Sequence, residues 1–230
     1  VAALAGCVTV VRLSDATGRG PIERVMSTVG RVDLELADRL HAGDAVRPYS
    51  VVVRARTIDV VSFEDDLTRA LLLGDPGARL VRRARLADLS PAGDLPRTLR
   101  LAFETPTHFR TAGLEVQTPD AFHVFGSLVE RWRALGGEIA YPDVRRVGVV
   151  PEVLRYATLP IAGGKPQRGF VGVVRFDGSR VDAEDLATLW LLARFGEYRG
   201  VGKHTTYGLG RLRALAAEAV WRLGERVTPW

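Results

Sequence analysis

Residues 199–211 read RGVGKHTTYGLGR, and no other stretch of the chain gathers so many groups suited to an anion. Glycine backbones can approach a ligand closely. Exposed N–H groups at Gly200 and Gly202, flanked by Arg199, Lys203, His204 and Arg211, would suit phosphate oxygens. Two nucleotide motifs fail here. A P-loop needs Ser or Thr after Gly202-Lys203 and glycine at 197, where the chain has His204 and Glu197. The dinucleotide fingerprint needs a third glycine at 205, which is Thr205. What stays open is a crossover whose glycines serve tight turns, or a surface for a larger polyanion.

Proton transfer near neutral pH calls for histidine, and the chain has four. His41 follows LELADRL and precedes a glycine-containing loop, so it is the best placed to be exposed in a cleft. Its alternative role is a cation at a helix C-terminus. Arg47 lies six residues on. His123, between Phe122 and Phe125, reads as a half-buried core histidine, and His108 after Pro106 as a turn residue. Asp65–Asp66 open a helix, where acidic residues are expected without any metal.

The elements that must position these groups repeat in order. Residues 4–13 are apolar and β-branched, a strand. IERVMSTVGRVDLELADRLH (22–41) carries apolar residues at helical spacing, with Gly43 as its stop. Residues 48–62 hold two strands, 64–73 a short helix, and 79–89 a closing strand. SPAGDLP (90–96) reads as a linker. The order then recurs: strand 97–104, helix 119–135, strands 144–159 and 169–176, helix 182–195, and a last strand 206–216. Two βαββαβ units predict an α+β chain of tandem ferredoxin-like domains, 1–92 and 97–230, the second holding the glycine-rich loop. Trp132 and Trp190 fall on apolar helix positions and are assigned to the core.

Composition narrows the partners. Formal charge is +5 from 32 basic and 27 acidic residues. Arginines and acids cancel over 1–94, so the excess lies in 95–230, which favours a polyanion. Arg145, Arg146, Arg155, Lys165, Arg168, Arg199, Lys203 and Arg211 are the candidate positive surface. Lys165 and Arg168 flank AGGKPQRG (162–169), a hairpin loop. No run of apolar residues is long enough to span a membrane. The apolar start lacks a basic leader and reads as a strand. A lone cysteine, Cys7, fits a reducing, cytoplasmic setting, and histidines this scattered do not build a zinc site. No cofactor or metal is expected.

GFVGVVRFDG (169–178), then a helix, then FGEYRGVGKHTTYGLGRL (195–212) closely resembles the C-terminal signature of the CRISPR-associated endoribonucleases that process precursor CRISPR RNA, members of the RAMP superfamily. LAFETPTHFR (101–110) and LADRLHAGDAVRPYS (36–50) resemble two further segments of that family. The resemblance implies tandem ferredoxin-like domains and a CRISPR repeat RNA as substrate, stem-loop or single-stranded. It implies metal-independent attack of a 2′-hydroxyl, giving a 2′,3′-cyclic phosphate and a 5′-hydroxyl. It places His41 at the catalytic-histidine position and Arg47 at a basic position of the same motif. RNA contacts would fall to Arg145, Arg146, Lys165, Arg168, Arg199, Gly200, Gly202, Lys203, His204 and Arg211. Many family members also use a tyrosine on the first helix; 22–41 contains none, and Tyr49 lies in another element. The alternative is a RAMP subunit that binds CRISPR RNA in an effector complex without cutting it. Monomer and homodimer are equally open.

Overall fold

A computed structural model describes residues 6–14, 20–42, 46–91, 93–161 and 164–215. The first half builds a four-stranded antiparallel sheet of order β2-β3-β1-β4 from β1 (Cys7–Ser14), β2 (Tyr49–Val53), β3 (Thr57–Ser62) and β4 (Arg79–Arg85). Helices α1 (Pro21–Val29), α2 (Leu34–His41) and α3 (Asp65–Gly74) belong to the same half. Val11, Leu13, Tyr49, Val51, Ile58 and Val60 of the sheet and Val25, Val29, Leu36, Leu40, Leu67 and Leu71 of the helices form one core. Alternation along a strand sends Val8 and Val61 to the opposite face, where they join the core of the second half.

The second half repeats the topology. β5 (Thr98–Thr107), β8 (Gly148–Leu159), β9 (Gln167–Asp177) and β10 (Leu212–Leu215) give the order β10-β5-β9-β8. Helices α4 (Ala121–Ala134) and α5 (Ala183–Arg199) supply its apolar partner surface. Helix α5 buries Leu186, Leu189, Leu191, Leu192 and Phe195, and a helix apolar on several sides must be covered on several sides. It contributes to the core of its own sheet and also meets the first one, where Phe63 sits edge-on to Phe195 at 5.7 Å.

Several features depart from the sequence expectation, among them that Val144–Arg146 form a 3-10 turn ahead of β8 and that the last strand begins only at Leu212. The single helix over 22–41 is two. Gly30 closes α1 by donating to Met26 O, and the Asp33 carboxylate accepts from Leu36 N to start α2, a side-chain cap that favours a new helix start. His41 therefore ends a short helix of its own. Residues after β5, read as loop, form a hairpin of β6 (Phe109–Thr111) and β7 (Leu114–Val116). Its turn holds Ala112 at φ 49° and Gly113 at φ 83°, the backbone that a tight two-residue hairpin needs. The closing strand over 79–89 ends at Arg85, and Leu86–Leu89 turn into a 3-10 helix. The proposed stop at Gly43 lies outside the described residues; Ala42 caps α2 by donating to Asp38 O.

Candidate functional site

Residues 200–211 connect α5 to β10 and are zipped onto the end of β5. Lys203 N donates to His108 O (2.9 Å), Gly210 N to Pro106 O (3.1 Å), Arg211 N to the Thr105 hydroxyl (2.9 Å) and Val201 N to Gly210 O (2.8 Å). Gly202 and Gly210 make this possible. Both have left-handed backbones, and a Cβ would stand 2.4 Å from His108 O at Gly202 and 1.8 Å from Val201 O at Gly210. Gly200 and Gly202 are buried. Their sequence assignment as RNA contacts is therefore corrected: they let the loop close on its own protein.

Arg199 needs the same correction. It is 2 % exposed. Its guanidinium donates to Tyr49 O (2.9 Å), Arg47 O and the Thr205 hydroxyl (3.3 Å), and lies 5.8 Å from the Phe63 ring. It bolts the start of β2 to the loop and cannot meet RNA directly. Arg131 on α4, which the sequence reading passed over, donates to Gly202 O and to the Thr205 hydroxyl (3.1 Å). Neither arginine forms a salt bridge among the described residues. Burial, with each charge opposing the other, holds Arg199 well below its ordinary value, and burial draws Arg131 down to about 10. Spacing could have exposed Arg131: it falls three and seven residues after Leu128 and Val124, on the buried stripe of α4.

Arg47 approaches from the first half, its Nη1 3.5 Å from the Thr206 hydroxyl. Arg47, Arg131, Arg199 and Lys203 thus converge on one loop. Lys203, His204, Tyr207 and Arg211 are its half-exposed side chains, and Arg211 is paired with Glu104 at 2.7 Å. His41 is exposed at the end of α2. Tyr49 is fully buried, its hydroxyl unpartnered among the described residues and pushed up to about 12 by burial. It is in no position to exchange protons with a substrate.

The remaining candidates divide between the two ends of the second sheet. The β8–β9 ladder runs to Leu159↔Gln167, whereas β5 stops at Thr107↔Phe170. Exposed Lys165 and Arg168 sit on that overhang at the loop's end of the sheet, with Arg168 stacked 5.2 Å from the Tyr156 ring. Arg155 is exposed on β8. Arg145 and Arg146 lie at the other end, where Gly148↔Asp177 and Thr98↔Asp177 pair. The length of β5 puts them ~30 Å from the loop. Both pair with Asp143, at 2.8 and 3.3 Å.

Two histidines also have new settings. His108 is completely buried with both ring nitrogens unpartnered among the described residues, not a surface turn residue. The half-buried His123 is a tether: it meets Asp120 at 2.5 Å and the Thr111 hydroxyl at 2.8 Å, pinning the β6–β7 hairpin to α4.

Paired ferredoxin-like units with a glycine-rich crossover into the last strand define the architecture, and comparisons give its relatives. A family model described as CRISPR-associated endoribonuclease Cas6 matches residues 101–212. A Cas6 endoribonuclease of Mycobacterium tuberculosis (strain CDC 1551 / Oshkosh) is 34% identical over 125 residues, 51% of this chain. The match spans only 38% of that relative's length. Among solved structures, Cas6 (TTHA0078) as a product complex aligns with TM-score 0.73 at 24% identity, covering 91% of this chain and all of that one. Cas6 (TTHB231), also a product complex, gives 0.73 at 21%, with 92% and 100% covered. A RAMP protein described as binding different RNA substrates gives 0.54 at 15%, with 91% and 99% covered. Over residues 101–212 the chain is similar to the CRISPR-associated Cas6 endoribonucleases. Its fold is the tandem ferredoxin-like fold of these proteins.

Proposed function

We propose that this chain cuts precursor CRISPR RNA within its repeats. The observation that carries the reading is the convergence of Arg47 with the glycine-rich loop, in a corner whose two inward-facing arginines have no carboxylate partner among the described residues. Positive charge left uncompensated there suits a phosphate and the charge that builds on it during cleavage. The reaction needs no metal: the 2′-oxygen bonds to phosphorus, the P–O5′ bond breaks, and a 2′,3′-cyclic phosphate and a 5′-hydroxyl result. His41, exposed at the end of α2, transfers a proton, and Arg47 steadies the phosphorane. Lys203, His204 and Arg211 hold RNA at the loop, and Lys165 and Arg168 extend that surface along the hairpin. Arg145 and Arg146 serve a more distant stretch of the same RNA. Relatives solved with product or with a substrate mimic support an RNA ligand. Residues 1–92 and 97–230 are the two domains of this reading, the setting is cytoplasmic, and no cofactor takes part.

The test uses repeat RNA in EDTA beside the same RNA carrying a 2′-deoxy at the cut site. Cleavage of the first alone is expected; binding without cleavage of either would sink the proposal. His41→Ala should lower the single-turnover rate ~10²–10⁴-fold with affinity retained, and an unchanged rate would move the proton transfer elsewhere. One observation favours a second reading, a RAMP subunit that holds CRISPR RNA for an effector complex. Helix α1, PIERVMSTV, carries no tyrosine.

A further inference from the structure

His204 is a non-glycine residue held at φ 61°, a left-handed backbone that side chains adopt rarely and that clusters at functional sites. The loop uses glycine at its four other left-handed positions, 200, 202, 208 and 210. His204 is the exception. Its ring is fixed on two sides, 5.6 Å from the His108 ring and 5.6 Å from the Tyr207 ring. It remains half-exposed beside Lys203. Two residues on, in the same 3-10 turn (Thr205–Tyr207), Thr206 meets Arg47.

We propose, resting on the cleavage reading above, that His204 is the general base of this nuclease and that His41 is its general acid. His204 takes the proton of the 2′-hydroxyl as the 2′-oxygen bonds to phosphorus, and His41 gives a proton to the 5′-oxygen as the P–O5′ bond breaks. The setting of His204 disfavours the protonated imidazole. Burial first, then the nearby His108 and Lys203, lower its affinity for a proton, and Glu115 opposes them more weakly. Burial lowers the proton affinity of His108 behind it as well. Tyr207 packs edge-on to the ring, and Arg47 reaches Thr206 two residues on.

The position offers an unusual control. His204→Gly relieves the left-handed backbone, so lost activity in that variant is not lost folding. Thermal stability should hold or rise, and the rate is read at saturating RNA because this side chain also contacts the ligand. The single-turnover rate should fall ~10²–10⁴-fold, the acid limb of its pH profile should vanish, and added imidazole should restore part of it. An RNA with a 5′-bridging sulfur at the cut site separates the two roles, because a thiolate leaves without an acid. That substrate should rescue His41→Ala and not His204→Gly. Should glycine loosen the loop, His204→Asn, which also tolerates the left-handed region, repeats the test. Near-normal cleavage by a folded His204→Gly, or its rescue by the sulfur substrate, would overturn the assignment. A wild-type chain that cuts nothing would instead sink the cleavage reading itself.

Discussion

The two sheets have the same strand order, but the connection from last helix to last strand differs between them. In the first half residues 75–78 suffice; in the second, residues 200–211 do the same topological work. The first connection buries a matched ion pair, Arg24 with Asp75 at 2.6 Å, both side chains almost fully enclosed. The second buries Arg199 and the head of Arg131 against oxygens that, among the described residues, are all carbonyl or hydroxyl. The fold therefore does not need the longer loop. What the second half adds is positive charge close behind a protein surface, where water screens it poorly.

Breaking that comparison starts with the buried pair. Asp75→Asn strands the Arg24 cation and should cost about 3–5 kcal/mol of stability. Arg199→Met loses hydrogen bonds but also removes a desolvated charge, so a smaller loss of about 1–2 kcal/mol is expected. Urea unfolding of both variants decides it, and a larger loss for Arg199→Met would show that the second connection is the better compensated. Acidification sharpens the contrast. His108 and His204 both bind protons less readily in the folded chain, so the unfolded chain binds more of them and stability must rise with pH. Their contribution is complete above the ordinary histidine value, near 6.5, and is lost as pH falls below it. Hydrogen exchange should show amides of 200–211 losing protection before those of β1–β3, and His108→Leu should flatten the response. The smallest effect belongs to Lys203→Ala, which should weaken RNA binding and reduce the salt slope by about one. An unaltered slope would remove Lys203 from the phosphate contacts.

Element order was legible because β-branched runs and helical spacing mark strands and helices locally. The break at Gly30–Asp33 was legible too, as a glycine followed by a capping aspartate, but the apolar spacing of Val29, Val32 and Leu36 runs across it and favoured one long helix. The β6–β7 hairpin was hidden because RTAGLE lacks an apolar alternation. Charge misled at Arg199. The sequence shows a basic residue beside glycines; only the fold shows Tyr49 O, 150 positions away, accepting its hydrogen bond. Partners so far apart leave no local pattern, although Leu192, Phe195 and Arg199 at helical spacing on α5 hinted at a buried face. His41 was placed correctly at a helix end because a glycine-containing loop followed it.

The overhanging tip of β8 and β9 has one further consequence, and it concerns association between copies. Beyond Phe170 no residue of β5 pairs with β9, so Gln167 and Arg168 have an open side, as β8 does along its outer edge. Unpaired edges of this kind are templates for edge-to-edge aggregation. Pro151 interrupts the register of β8, Pro160 and Pro166 flank the tip, and Lys165 and Arg168 charge it. The same residues that would reach toward RNA also keep this strand pair from finding another like itself.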